Sequence, residues 1–395
     1  MAAIAEVAGA SVERRSQAGA RPTPGGTRWL TPGALAAPLA VLAVTRAALA
    51  VLAWRAHVLL PPPRRHPNLS VLPHTDPLSA IWSWASPWFR FDAAWYVGIV
   101  QHGYRWGSLG HANTNFMPLY PALARAVQPL ALDSPWLAAW LVANLSYGVA
   151  LVLLWQWACL KWDRPIAWRV LLLSATFPFA FFFAAPYGEA LFLALATAAF
   201  LFAELDRWPL AIGAAALCTV TRPVGLAVVA GVLVTALSRG RRRPALWTSA
   251  AVLPLAGFIA YLTVAFRQPM GFLTYHSAGW VAPRGDLLTT VRIQFATHLA
   301  PFDRIDALCA AGFIALGVAC WKRIGPGYSV YVLGGVLLPL AHGLVSMERY
   351  VAVLFPAIAV VATWDNRGVQ RVAFIVSLLG ATLFTLLFCS GYAVF

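Results

Sequence analysis

The chain has 395 residues, 60% of them hydrophobic and only 11% charged, with a formal net charge of +15. Soluble globular domains carry about a quarter charged residues. A soluble enzyme is therefore excluded, and an all-α polytopic membrane protein is expected. In that setting a basic surplus marks cytoplasmic loops, so no nucleic-acid partner is expected.

The first 30 residues are Ala- and Gly-rich and polar. They read as a disordered cytoplasmic tail before an uncleaved first span, with residues 31–395 forming one integral membrane domain. A span needs about 20 mainly apolar residues. Such runs lie at 33–60, 135–160, 166–185, 187–204, 208–221, 222–238, 245–266, 302–320, 327–346, 350–364 and 371–392, about 11 transmembrane helices. The stretch 208–238 is open between one long helix and two short ones meeting at Thr221-Arg222-Pro223. The connections 161–169, 205–207, 239–243, 322–323 and 367–371 all carry positive charge. They share one cytoplasmic side only if the chain passes twice between 207 and 239, which favours two short helices with Arg222 near the outer side.

The opposite, extracytoplasmic side then receives two long loops, 61–134 and 267–301. Loops of that length in a compact domain are usually functional. Within the first, a Pro-rich connector precedes two aromatic, partly amphipathic segments, 77–104 and 116–131, which read as helices lying in the interface.

Polar residues inside these apolar surroundings need an explanation. In "FRFDAAWYVGIVQHGY" Asp92 heads a helical face carrying Trp95, Tyr96 and Ile99. Two uses fit it: capping a helix N-terminus, or serving as a general base at the membrane surface. In "NFMPLYP" the prolines start a helix; Asn115 and Tyr120 either shape that turn or line a polar pocket. "AAPYGEA" sets Tyr187 and Glu189 at an outer helix junction, where the acid suits the helix dipole and needs a partner or a wet cavity. Arg222, within an apolar run, should face a cavity or an anion, and its fork suits a phosphate. "SMERYVAVLFP" adds Glu348, Arg349 and Tyr350, as a local ion pair or a second anion contact.

The five cysteines have no CxxC spacing and read as core residues. His102, His111, His276, His298 and His342 are scattered, and no HExxH, Walker A, dinucleotide-glycine or Asp-x-Asp pattern occurs. No metal and no cofactor are therefore indicated.

Taken together the motifs resemble the PIG-V family, mannosyltransferases that add the second mannose of GPI anchors. "RFDAAWYVGIVQHGY", "NFMPLYP", "FPFAFFFAAPYGEALF", "LCTVTRPVGL" and "SMERYVAVLFP" are similar to its elements and follow its order, over about 90–356. Phe91, Val100 and Ala190 depart from the family pattern, which touches the identity of the acceptor. The resemblance implies a GT-C-type glycosyltransferase, with Asp92 at the position of the family's catalytic base. Its substrates would be a polyprenyl-phosphate sugar donor, most simply carrying mannose, and a glycan or glycolipid acceptor. On that footing Glu189 and Tyr187 would assist the base or orient the sugar, and Arg222 and Arg349 would hold the donor phosphate. Arg90 would bind phosphate or pair with Asp92. Trp95, Tyr96, Asn115, Tyr120 and Tyr350 would line the substrate site. The rival class is a transporter or flippase of lipid-linked substrates.

Overall fold

The computed structural model describes residues 32–61, 86–107, 112–273, 301–341, 346–392 and 394. The tail 1–30, the Pro-rich connector, most of the loop 267–301 and His111, His276, His298 and His342 lie outside them. The chain divides into two units, Met1–Ala36 and Ala37–Phe395. The first is described only in the opening turn of helix α1 (Pro32–Leu59), and every later element belongs to the second. The described residues of that second unit are helical, without strands.

Five stretches are long and apolar enough to cross a membrane: Ala34–Ala56, Pro135–Lys161, Arg242–Phe266, Arg304–Arg323 and Arg367–Cys389. They belong to α1, α4 (Pro135–Lys161), the pair α9 (Arg242–Thr248) and α10 (Leu253–Phe266), α11 (Pro301–Arg323) and α15 (Arg367–Cys389). Local chemistry starts several of them. Ser134 accepts from Leu137 N ahead of Pro135, and Asn366 accepts from Gly368 N and Val369 N at the start of α15. These helices turn large apolar side chains outward, among them Val44, Trp54, Trp247, Val264, Val372 and Leu379. That is the surface a lipid solvent requires.

The other apolar runs form shorter helices: α5 (Arg164–Ala175), α6 (Glu189–Glu204), α7 (Trp208–Thr219), α8 (Gly225–Ser238), α12 (Pro326–Leu340) and α14 (Phe355–Ala362). The stretch 208–238 is two helices, as the charge pattern favours. The aromatic segment 77–104 contains α2 (Ala93–His102), and the segment 116–131 contains α3 (Leu119–Val127).

Helix α6 is the buried axis of the body. Nearly all its residues are enclosed, and it packs on α4, α7 and α8, as expected for a helix apolar on every side. Each end carries an acid. Glu204 binds Lys161 Nζ at 2.7 Å and Arg239 Nη2 at 2.6 Å, and accepts from the Tyr328 hydroxyl at 2.7 Å. Arg241 pairs with Asp206 close by. The connections 161–169, 205–207 and 239–243 therefore gather at one end of α6. Glu189 lies at the other end, about 22 Å away along the axis at roughly 1.5 Å per residue.

Candidate active site

The chain reaches Asp92 through a turn that ordinary side chains avoid. Phe91 adopts a left-handed backbone, φ 50°, a conformation that costs a non-glycine residue on the order of 1 kcal/mol. The Tyr187 hydroxyl donates to the Arg90 carbonyl at 2.9 Å and holds the turn from outside. Asp92 occupies the N-cap position of α2, yet its side chain makes no capping hydrogen bond. Its Oδ2 instead accepts from Arg349 Nη1. The capping use of Asp92 is thus set aside.

Arg349 sits in the short helix α13 (Met347–Val351). Asp306 of α11 fixes the start of that helix, its Oδ1 accepting from Met347 N at 2.6 Å. Beyond Asp92, the Arg349 guanidinium donates to Glu189 Oε1 through Nε and Nη2, both at 2.7 Å. It lies over the Tyr187 ring at 4.9 Å.

Arg222 comes from the turn between α7 and α8. Its Nη1 meets Glu189 Oε1 at 3.0 Å and the Arg349 carbonyl at 3.4 Å, while its guanidinium covers the Tyr350 ring at 4.6 Å. The turn closes tightly: Arg222 N donates to Cys218 O, and Gly225 N to Arg222 O. A Cβ on Gly225 would collide with the backbone of Cys218 and Thr219, so glycine is required there. Leu119 N donates to Val220 O at 2.9 Å and docks the Asn115–Pro121 motif onto this turn.

Four charged side chains from four separate motifs thus form one buried cluster of two acids and two arginines. Their side-chain exposures differ usefully. Asp92 keeps 13% exposure against 1% for Glu189, so Asp92 is the more accessible of the two acids. Charges so removed from water interact strongly, and they persist only because each is paired.

The aromatic residues divide into near and far. Tyr96 is buried, its ring held edge-on by Phe116 and Tyr120, each at 4.8 Å between centroids. Its hydroxyl lies by Gly188, 3.3 Å from where a Cβ there would sit. Tyr120 turns its own hydroxyl to the Ala139 carbonyl at 2.7 Å and so supports Tyr96 from behind. Trp95 stacks on Phe116.

Arg90 departs from expectation. It is fully enclosed and its Nε donates to Pro87 O at 3.1 Å; Arg349, not Arg90, is the ion partner of Asp92. Residues two apart around a left-handed Phe91 have no reason to face one another.

Some supporting residues carry little signal in the sequence. Asn113, rather than Asn115, closes the loop after α2, taking Arg105 N at 2.8 Å and donating to Gly103 O at 3.2 Å. Arg46 of α1 donates to the Phe183 carbonyl at 3.1 Å and lies 4.3 Å over the Tyr147 ring, bracing the segment that leads to Tyr187 and Glu189. An Arg midway along an apolar span is the mark that could have found it. Among the described residues no group of three or more His, Cys, Asp or Glu is placed to hold a metal ion. No protein-family model matches this chain, and no characterised protein matches it.

Proposed function

We propose that this chain is an inverting GT-C-type glycosyltransferase, resembling the PIG-V mannosyltransferases. It would move a hexose, mannose by resemblance, from a polyprenyl-phosphate carrier to a lipid-linked or cell-envelope glycan. About 11 passes would place the N-terminus in the cytoplasm and the cluster on the extracytoplasmic side, where a lipid-phosphate donor replaces nucleotide sugars. The observation that carries this proposal is the convergence of Asp92, Glu189, Arg222 and Arg349 on one another from four distant motifs.

The geometry supports the following chemistry. The donor is a phosphodiester that leaves as a lipid phosphate, gaining negative charge as the glycosidic bond breaks. Arg222 and Arg349 are preorganised cations in a dry site, the arrangement that best stabilises such charge. A phosphate that engages the Arg349 fork competes with Asp92 for it, and so releases the Asp92 oxygen. Asp92 then takes the proton of an acceptor hydroxyl, whose oxygen attacks the anomeric carbon opposite the departing phosphate. Configuration inverts, and the proton resides on Asp92.

The test is transfer by the purified protein in lipid nanodiscs from polyprenyl-phosphate-mannose, and from the glucose, galactose and arabinose analogues. Asp92→Asn should keep the fold and lower kcat by about 100-fold or more, the usual worth of a general base. Full activity in that variant removes Asp92 from the base role. Movement of the intact lipid-linked sugar across a bilayer, without transfer, would instead identify a flippase.

A further inference from the structure

We propose that Glu189 and Tyr96 form the subsite that grips a hydroxyl group of the transferred sugar. This rests on the glycosyltransferase reading and divides the labour between the two acids of the cluster.

Glu189 is asymmetrically used. All three arginine contacts fall on Oε1. Oε2 is buried and accepts no hydrogen bond among the described residues. A carboxylate oxygen taken out of water without a donor is a costly arrangement, and one that a ligand can relieve. The donor it lacks is a neutral O–H. A phosphate oxygen would be repelled, and the nearby guanidinium groups are already committed to Oε1 and Asp92.

Tyr96 supplies the other half. Its hydroxyl makes no hydrogen bond among the described residues. It stands beside Gly188, the residue preceding Glu189, within electrostatic reach of Glu189, Arg349, Arg222 and Asp92. A side chain at position 188 would crowd it, so glycine keeps the space open. Asn115 Oδ1, from the residue before Phe116, is a further buried acceptor without a hydrogen bond among the described residues. A buried acceptor without a donor, near a hydroxyl that makes no hydrogen bond among the described residues, suits a polyhydroxyl group such as a sugar. Glu189 takes no proton in this scheme. It accepts one hydrogen bond from a sugar hydroxyl and thereby fixes the anomeric carbon in front of Asp92.

Deoxy-sugar donors test this directly. The wild type, Glu189→Gln and Tyr96→Phe are each given the parent polyprenyl-phosphate hexose and its 2-, 3-, 4- and 6-deoxy forms. In the wild type one deoxy donor should lose about 100-fold or more in kcat/KM, because a site built to bond a hydroxyl rejects the analogue lacking it. In Glu189→Gln the parent donor should fall toward that level while the same deoxy donor loses little more. Tyr96→Phe, which removes one oxygen and leaves the arginine pairs intact, should compress the same ratio and keeps the test open if Glu189→Gln does not fold. Asp92→Asn should slow every donor by one common factor. An identical deoxy penalty in wild type, Glu189→Gln and Tyr96→Phe overturns the subsite while leaving glycosyl transfer in place. So does a wild type indifferent to every deoxy position. Absence of transfer from all the parent donors by the wild type overturns the glycosyltransferase reading and the subsite with it.

Discussion

Arg349 is the residue on which the cluster turns, because one guanidinium serves both Asp92 and Glu189. Removing it leaves two acids against Arg222 alone. Breaking a buried ion pair from one side costs about 3–5 kcal/mol, so Arg349→Met should lower the unfolding temperature clearly in detergent. Adding Glu189→Gln restores one acid to one arginine, and the double variant should recover part of that loss. Thermal denaturation of the two single variants and the double measures the coupling. A double variant that falls by the sum of the single losses would show that the two side chains do not act as a pair. Asp92, Glu189, Arg222 and Arg349 were legible in the sequence for one reason: charge in an apolar run demands a partner. Which arginine pairs with Asp92 was not legible. Arg90 stands two positions from Asp92, yet the actual partner is 257 positions away, and only the tertiary fold brings it near.

At the scale of elements, hydropathy located the helices better than it measured them. The run 166–185 is mainly apolar, yet α5 ends at Ala175. Thr176 turns its hydroxyl back to the Leu172 carbonyl, and Phe177 precedes Pro178, which disfavours continued helix. The run 350–364 yields only the eight residues of α14, which begins one residue before Pro356. Composition counts apolar residues; prolines and turns cut the length. The α7–α8 junction was legible because Arg222-Pro223 breaks an apolar run between basic connections. What was not legible is how closely its two arms approach. Gly225→Ala would force apart the backbone at Cys218. Overpacking of this kind costs about 1–3 kcal/mol, and here it moves the turn that carries Arg222. Displacement of a positioned group by about 1 Å can cost roughly 100-fold in rate. Gly225→Ala should therefore lose both melting temperature and transfer. Gly257→Ala, where a Cβ meets nothing within 4 Å, should leave both unchanged. Equal behaviour of the two variants in the same assays would remove the close contact as the reason for glycine.

For the whole molecule, the two ends of α6 define its polarity. Glu204 gathers Lys161 and Arg239 at one end, with Arg241 on Asp206 beside it; Glu189 gathers Arg222 and Arg349 at the other. The cluster lies about 22 Å from the basic end, less than the roughly 30 Å of a hydrocarbon core. It would thus be sunk below the far surface, within reach of a lipid-borne phosphate. The short helices α6–α8 make this possible, since Glu189 opens α6 and Arg222 lies in the turn between α7 and α8. Whether the basic end faces the cytoplasm can be read with a membrane-impermeant maleimide. Arg242 lies in the basic stretch and His102 closes α2 beside the first long loop; both are exposed. In a background carrying Cys159→Ser, which removes the exposed native thiol, His102→Cys should label in intact cells or right-side-out vesicles. Arg242→Cys should label only after the membrane is opened. The reverse pattern would place the cluster on the cytoplasmic side, where nucleotide sugars are present and a polyprenyl-phosphate donor loses its rationale. Labelling of both positions from one side would contradict the separation of the two charged ends across a bilayer, and with it the membrane disposition proposed for the fold.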